Sequence, residues 1–136
     1  MKRVSLLVTV LAAVPLMLAA CGGASGPSTS LKVTMTDFAF SPNSFTVPAG
    51  QQISVDITNN GATTHSFVII QAGHDVKTHF TDADKALIYW AQPKVAPGES
   101  VKASFAAPSE AGEYQILCDI AGHFEAGMVG KLTVVK

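Results

Sequence analysis

The sequence predicts an all-β sandwich or barrel from about residue 31 onward, and three observations lead to this fold class. Apolar residues mostly alternate with polar ones there, which is the period of a half-buried strand rather than of a helix. Turn-forming combinations at residues 41–43, 59–61 and 97–98 separate the alternating runs. The segment of roughly 105 residues can bury one core but is too small for two lobes. Short strands that are separated by such turns are typical of a β-sandwich or β-barrel.

The predicted strands follow one another along this segment. They lie around Val33 and Met35, around Ile53, Val55 and Ile57, at residues 66–70, around Val101 and Phe105, at residues 113–117, and at residues 129–135. The alternation lapses between residues 71 and 94, where Thr81 could cap a short helix. We therefore expect a short helical excursion around residues 75–90 that covers one flank of the sandwich.

The first 30 residues have the composition of an export signal and a tether. Lys2 and Arg3 precede an almost wholly apolar stretch that ends in small residues just before Cys21. A cysteine at this point, followed by two glycines, resembles the bacterial lipobox, in which that cysteine is lipidated. We predict a lipoprotein signal peptide at residues 1–20, a lipidated Cys21 with a flexible tether at residues 21–30, and a folded domain at residues 31–136. A simple secreted protein and a retained apolar anchor are the alternatives.

Charge and cysteine content narrow the classes of function that this protein can have. The chain has nine basic and ten acidic side chains, and without Lys2 and Arg3 seven basic ones remain, for a formal charge near −3. This balance offers no basic patch for nucleic acid. Export favours disulfides, yet with Cys21 assigned to the lipid only Cys118 remains. An unpaired thiol in an oxidising compartment is a liability unless it is buried, catalytic or bound to a metal.

Three side chains with metal-binding chemistry lie close together near the C-terminus. Cys118, His123 and Met128 are separated by four residues and again by four residues. Because predicted strands flank residues 118–128 on both sides, we expect all three side chains on one tight loop. Two histidines and a cysteine with a weak axial methionine are typical of copper electron-transfer sites, so a second histidine is expected from elsewhere.

His65 is the best candidate for that second histidine. It follows the turn at residues 59–61 and opens an apolar run, so a strand would hold it in place. His74 and His79 are the rivals, but both lie in the polar excursion among acidic neighbours. A lone histidine, methionine or cysteine is more often a packing or surface residue than a ligand. The prediction of a metal site therefore rests on the combination of the four candidate ligands rather than on any one of them.

The pattern resembles the cupredoxin, or type 1 blue-copper, family, most of all its auracyanin and rusticyanin branch. The likeness extends from residues 38–42, through residues 60–70, to residues 111–114 before the Cys-His-Met loop. Plastocyanins have a shorter gap between the cysteine and the histidine, and azurins a shorter gap between the histidine and the methionine. The resemblance implies a Greek-key β-sandwich or barrel that binds one copper ion. The implied ligands are the Cys118 thiolate, the His65 and His123 imidazoles, and the axial Met128 thioether.

The resemblance also implies a carrier that cycles between Cu(II) and Cu(I) and is not an enzyme. Copper oxidases and nitrite reductases need a second copper centre with further histidines, and two of the four histidines here are already used. A module that stores or delivers copper is the alternative. It would more often present Met- and His-rich segments on flexible chain, and the predicted tether has none.

Further roles follow from the same resemblance. Ser66 is expected to donate a backbone N–H to the Cys118 sulfur, a contact that tunes the metal. Ile120 and Phe124 are expected to form an apolar docking surface around His123, although both could simply be core residues. Expected partners are a c-type cytochrome, an oxidase or a photosynthetic complex. The protein is expected to be a monomer, held by its lipid on the extracytoplasmic face of a membrane.

Overall fold

The computed structural model describes residues 26–136, which form two packed β-sheets. The nine strands are β1 (Ser30–Thr36), β2 (Ala39–Ser41), β3 (Ser44–Pro48), β4 (Gln52–Asn59), β5 (His65–Ile70), β6 (Ile88–Val95), β7 (Ser100–Ala106), β8 (Gly112–Leu117) and β9 (Val129–Val135). One sheet has the order β2-β1-β4-β7, and the other has the order β3-β9-β8-β5-β6. The predicted all-β sandwich is confirmed.

The strand pairing brings distant parts of the chain to one end of the sandwich. β1 runs parallel to β4, with Met35 opposite Asn59, so the turn after β1 lies beside the loop after β4. β5 and β9 each pair antiparallel with β8, so the start of β5 lies at the same end as the loop between β8 and β9. Two loops and one turn therefore converge there.

The main core lies between the two sheets and is built by the alternating residues. In β4, Ile53, Val55 and Ile57 are buried while their neighbours face outward, as the period of two predicts. Phe67 lies at the centre and makes edge-to-face contacts with Phe40 and Phe45. Burying such side chains contributes about 1.5–3 kcal/mol each.

A second, smaller cluster covers the outer face of the five-stranded sheet. Val68 and Ile70 of β5 pack there against Val76, Leu117 and Phe124. The main chain of Val76 is fixed by Gln115, whose amide accepts from Val76 N at 2.8 Å and donates to Val76 O at 3.0 Å. Every residue of β5 is consequently buried, because both faces of this strand are covered. The predicted excursion does cover one flank of the sandwich.

The helical part of the excursion is one 3₁₀ helix, Asp82–Leu87, with Thr81 as its N-cap. The Asp84 carboxylate accepts hydrogen bonds from Thr81 N at 2.7 Å and from Thr81 Oγ1 at 2.6 Å. The predicted helical excursion is therefore confirmed, but it is shorter than residues 75–90.

β6 begins directly after the 3₁₀ helix, where the sequence predicts no strand. It is an edge strand that contains Pro93, and its pairing with β5 shifts register twice. These irregularities break the period of two, which is why the alternation lapses.

At the N-terminal side, β1 begins at Ser30, and Ser28 N already donates to Thr46 O at 2.9 Å. The division of the chain at residues 30 and 31 stays a prediction. The proposed signal peptide and Cys21 lie outside the described residues. Between residues 26 and 136, no helix is long and apolar enough to cross a membrane.

Candidate metal centre

The loop at residues 118–128 is closed by its own backbone hydrogen bonds. Cys118 N donates to Met128 O at 3.2 Å, and Met128 N donates to His123 O at 3.0 Å. Gly122 and Gly127 adopt φ values of 84° and 98°, which residues with a side chain rarely adopt. The loop therefore brings its first, middle and last residues together, as the predicted single-loop arrangement requires.

His65 opens β5, and the loop before it is ordered by Asn59. The buried Asn59 amide donates to Thr63 O and to Val95 O, both at 2.8 Å, and its Oδ1 accepts from Gly61 N at 2.8 Å. These bonds fix the approach to His65, whose side chain is fully buried. The buried position of His65 is thus set by a structured turn followed by a central strand.

Three of the predicted ligand side chains meet at this end of the sandwich. One nitrogen each of His65 and His123 and the Cys118 sulfur all lie within 4.8 Å of one another. The two Nδ1 atoms are 3.0 Å apart, and His123 Nδ1 is 3.5 Å from Cys118 Sγ. Cys118 is fully buried, and His123 is 8% exposed. Among residues 26–136, this is the one such cluster of His, Cys, Asp or Glu, and it contains no carboxylate.

The surroundings leave lone pairs on both imidazoles. His65 Nε2 lies 3.2 Å from Asp37 Oδ1, and because a carboxylate only accepts, the proton belongs on Nε2 and Nδ1 is free to bind a metal. Burial lowers the pKa of His123, and the neighbouring His65 lowers it further, against the opposing influence of Asp37 and Glu125. Both rings are therefore suited to bind a cation.

The Cys118 sulfur accepts a hydrogen bond from the backbone of Ser66. Ser66 N lies 3.4 Å from Sγ, and Ser66 Oγ lies 3.5 Å from it. The hydroxyl has a single proton, and Asp119 Oδ1 at 2.5 Å is the much closer acceptor. Asp119 N in turn donates to Ser66 Oγ at 2.9 Å. The N–H of Ser66 is thus the donor to sulfur, while its hydroxyl ties the two ligand-bearing segments together.

Met128, the fourth predicted ligand, is fully buried at the end of the same loop. Its backbone bonds to Cys118 and His123 place it next to both. Its role as axial ligand stays a prediction.

The donor set fits a copper ion. Two nitrogens that each lie about 2 Å from one metal ion are about 3 Å apart, which matches the separation of the two Nδ1 atoms. A thiolate favours Cu(I), and imidazole suits both oxidation states. Carboxylate ligands, which hard cations such as Mg²⁺ and Ca²⁺ favour, are absent from the cluster within the described part of the chain.

The rival histidines lie elsewhere. His74 and His79 are both exposed and do not join the cluster. Of the two predicted docking residues, Phe124 is 9% exposed and packs in the second cluster, and Ile120 is half-buried against the main core. Their docking role stays a prediction.

Sequence reasoning missed the two residues of the turn between β1 and β2. Asp37 contacts His65, and the ring of Phe38 meets His123 edge to face, with 5.2 Å between centroids. Phe38 is 43% exposed and has a φ of 66°, which is unusual for a bulky residue. The turn lies some 80 residues before the Cys-His-Met loop, and no local pattern indicates this contact.

Comparison with known proteins agrees with the fold and the site. The family model of the cupredoxin-like domain matches residues 7–134. Auracyanin-A of Chloroflexus aurantiacus is 31% identical, over 95% of this chain and 95% of that protein. The copper-resistant cuproprotein CopI of Rubrivivax gelatinosus is 33% identical, over 83% of this chain and 70% of its own length.

Comparison with solved structures also indicates a cupredoxin-like protein. The dithionite-reduced auracyanin from Roseiflexus castenholzii superposes with a TM-score of 0.70 at 32% identity, covering 82% of this chain and all of that one. The predicted resemblance to auracyanins is therefore confirmed, and the chain belongs to the cupredoxin-like family.

Proposed function

We propose that this chain is a type 1 copper protein that carries one electron at a time between extracytoplasmic redox partners. The observation that carries the proposal is the buried cluster of two imidazole nitrogens and one cysteine sulfur. The proposed ligands of the single copper ion are His65, Cys118, His123 and Met128.

Bound copper would supply the one-electron chemistry, and the protein supplies a fixed, dry set of ligands. The ligand residues lie on the first residue of a central strand and on a loop closed by backbone hydrogen bonds. Such ligands have little freedom to rearrange, so one geometry can serve both oxidation states. Their burial keeps water from the metal and favours electron transfer over substrate chemistry.

The test of this function is electron exchange. The copper-loaded protein should have a strong visible absorption in the Cu(II) state, lose it when a reduced c-type cytochrome is added, and regain it on reoxidation. A colourless Cu(II) protein, or one that no reduced cytochrome bleaches, would contradict the proposal.

Storage or delivery of copper is the second candidate, and the likeness to a copper-resistant cuproprotein favours it. The two functions differ in how readily the metal leaves. His65 and Cys118 are fully buried, which opposes quick release. Transfer of copper to a competing chelator within minutes, faster than electron exchange with cytochrome, would favour delivery.

Phe38 extends the proposed docking surface beyond Ile120 and Phe124. It is an exposed aromatic ring against His123, held in a backbone conformation that costs about 1–2 kcal/mol for an L-residue with a side chain. Strain of this kind at a functional site supports a role for the residue that occupies it. We infer that the ring is a contact for the redox partner, and that the electron leaves through the neighbouring His123.

The substitution Phe38→Gly distinguishes a role of the ring in partner contact from a role in the stability of the fold. Glycine adopts positive φ freely, so the relief of strain should offset the lost ring packing and the greater entropy of the unfolded chain, and the free energy of unfolding should change by no more than about 1 kcal/mol. The electron-transfer rate with a c-type cytochrome should nevertheless fall by about tenfold, as expected when an aromatic contact worth about 1.4 kcal/mol is lost. Stopped-flow kinetics and denaturant unfolding measure the two quantities. Tyr89→Ala, which removes another aromatic side chain of similar exposure, is the control and should leave the rate unchanged.

Membrane attachment through Cys21 is also proposed, from the lipobox-like end of the apolar stretch. Cys21→Ser, expressed in a bacterial host with lipoprotein processing, should release the protein from the membrane fraction, because no lipid can then be attached. The distribution between membrane and soluble fractions is the measurement. Continued membrane association of the variant would favour a retained apolar anchor instead.

A further inference from the structure

Asp37 contacts the buried histidine of the proposed copper site from the side away from the other ligands. It is the first of the two turn residues between β1 and β2. Its Oδ1 lies 3.2 Å from His65 Nε2, whereas His65 Nδ1 faces His123. The imidazole of His65 therefore bridges a carboxylate and the metal-binding cluster.

The carboxylate of Asp37 is itself held by three donors of the neighbouring loop. Ala62 N donates to Oδ1 at 3.0 Å and to Oδ2 at 3.1 Å, and Thr63 donates to Oδ1 through its backbone N at 3.3 Å and its hydroxyl at 3.1 Å. All of these groups donate to the carboxylate, which therefore accepts every one of these hydrogen bonds and is fixed in orientation.

Gly61 gives an independent sign that this contact is built into the site. A Cβ at this position would lie 2.6 Å from Asp37 Oδ1 and 2.8 Å from His65 Nε2. Both distances are shorter than real Cβ contacts, so any side chain at residue 61 would displace the carboxylate, the imidazole or both. The absence of a side chain leaves the space in which the two groups meet.

We infer that Asp37 is a positioning residue that keeps the His65 proton on Nε2, directs Nδ1 to the copper and lowers the reduction potential of the site. The inference rests on the proposed copper function. A carboxylate that accepts from a ligating histidine orients the ring and makes it a stronger donor.

The charge balance explains the direction of the effect. A bound Cu(II) with one thiolate would have a net charge of +1, which the Asp37 carboxylate would neutralise. With Cu(I), formed by taking one electron from the donor protein, the same three groups would have a net charge of −1. The carboxylate therefore stabilises the oxidised state relative to the reduced one, although water screens part of the effect because the Asp37 side chain is 39% exposed. Burial alone would favour the reduced state, and Asp37 opposes this.

Asp37→Asn tests the inference, because it removes the charge but keeps the size of the side chain. We expect Cu(II) to bind about 10- to 100-fold more weakly. If Cu(I) affinity is unchanged, each tenfold loss raises the potential by about 59 mV. Gly61→Ala should shift the potential in the same direction, since it separates the carboxylate from the imidazole. Redox titration monitored by visible absorption and competition with a Cu(II) chelator measure both quantities.

Asp56→Asn is the matched control. The Asp56 side chain is 43% exposed against 39% for Asp37, and it pairs with Lys102 rather than with a histidine. Its loss should leave the potential unchanged. If Asp37→Asn lowers only thermal stability and its potential equals that of Asp56→Asn, Asp37 merely clamps the loop and the inference is overturned. If Asp37→Asn does not fold, an unshifted potential in Gly61→Ala overturns it equally. Failure of the wild-type protein to show a coloured Cu(II) state would contradict the copper function itself.

Discussion

Cys118→Ser is expected to abolish the visible colour of the Cu(II) protein. The colour of such a site arises from charge transfer from the thiolate to copper, and the Cys118 sulfur is the one thiol of the described residues. It is fully buried and lies 3.5 Å from His123 Nδ1, and residues 26–136 contain no second thiol that could replace it. A serine hydroxyl is a poor, hard ligand for copper. Visible absorption during titration with Cu(II) is the measurement.

Met128→Leu is the matched control for the loss of sulfur. It removes the thioether from the same loop, replaces it with an apolar side chain of similar size, and leaves the thiolate in place. The colour should therefore persist, while the potential should rise because an axial donor to Cu(II) is lost. A coloured Cys118→Ser protein would show that the thiolate is not a ligand. An unchanged potential in Met128→Leu would show that Met128 is not one.

The parts of the site that lie close in sequence could be predicted from the sequence. Residues 118–128 are flanked by two alternating strands, so their spacing alone places Cys118, His123 and Met128 on one loop. His65 could be predicted less directly, from the turn before it and the apolar run after it. In each case the local chain determines the position of the side chain.

Contacts that depend on strand pairing could not be predicted in this way. Asp37 reaches His65 because β1 runs parallel to β4, which places the turn after β1 beside residues 60–63. Asn60 N donates to Met35 O at 2.8 Å and completes this alignment. Parallel pairing leaves no turn signal, since the two strands are not adjacent in sequence. Phe38 is brought to His123 by the same alignment, so the missed residues have one physical cause.

Removal of copper is expected to lower the stability of the domain substantially. The ligands come from the start of β5 and from residues 118–128, so the native state gathers them and the unfolded chain does not. Binding to the native state alone stabilises it by about 4.1 kcal/mol at a free metal concentration of a thousand times Kd. For a domain of this size, the melting temperature should therefore rise by on the order of 15 °C when copper is bound. Thermal unfolding of the copper-loaded and metal-free proteins is the measurement.

Hydrogen exchange locates this stabilisation within the fold. The amides of residues 60–65 and 118–128 should exchange more slowly with copper bound, because the metal adds a link between two segments that hydrogen bonds such as those between Ser66 and Asp119 already join. Amides in the middle of β4 and β7 belong to the opposite sheet and should change only with global stability. Cys118→Ser is the control, and its melting temperature should respond little to copper. Equal melting temperatures for the wild-type protein with and without copper would contradict a site in which the metal joins the two segments.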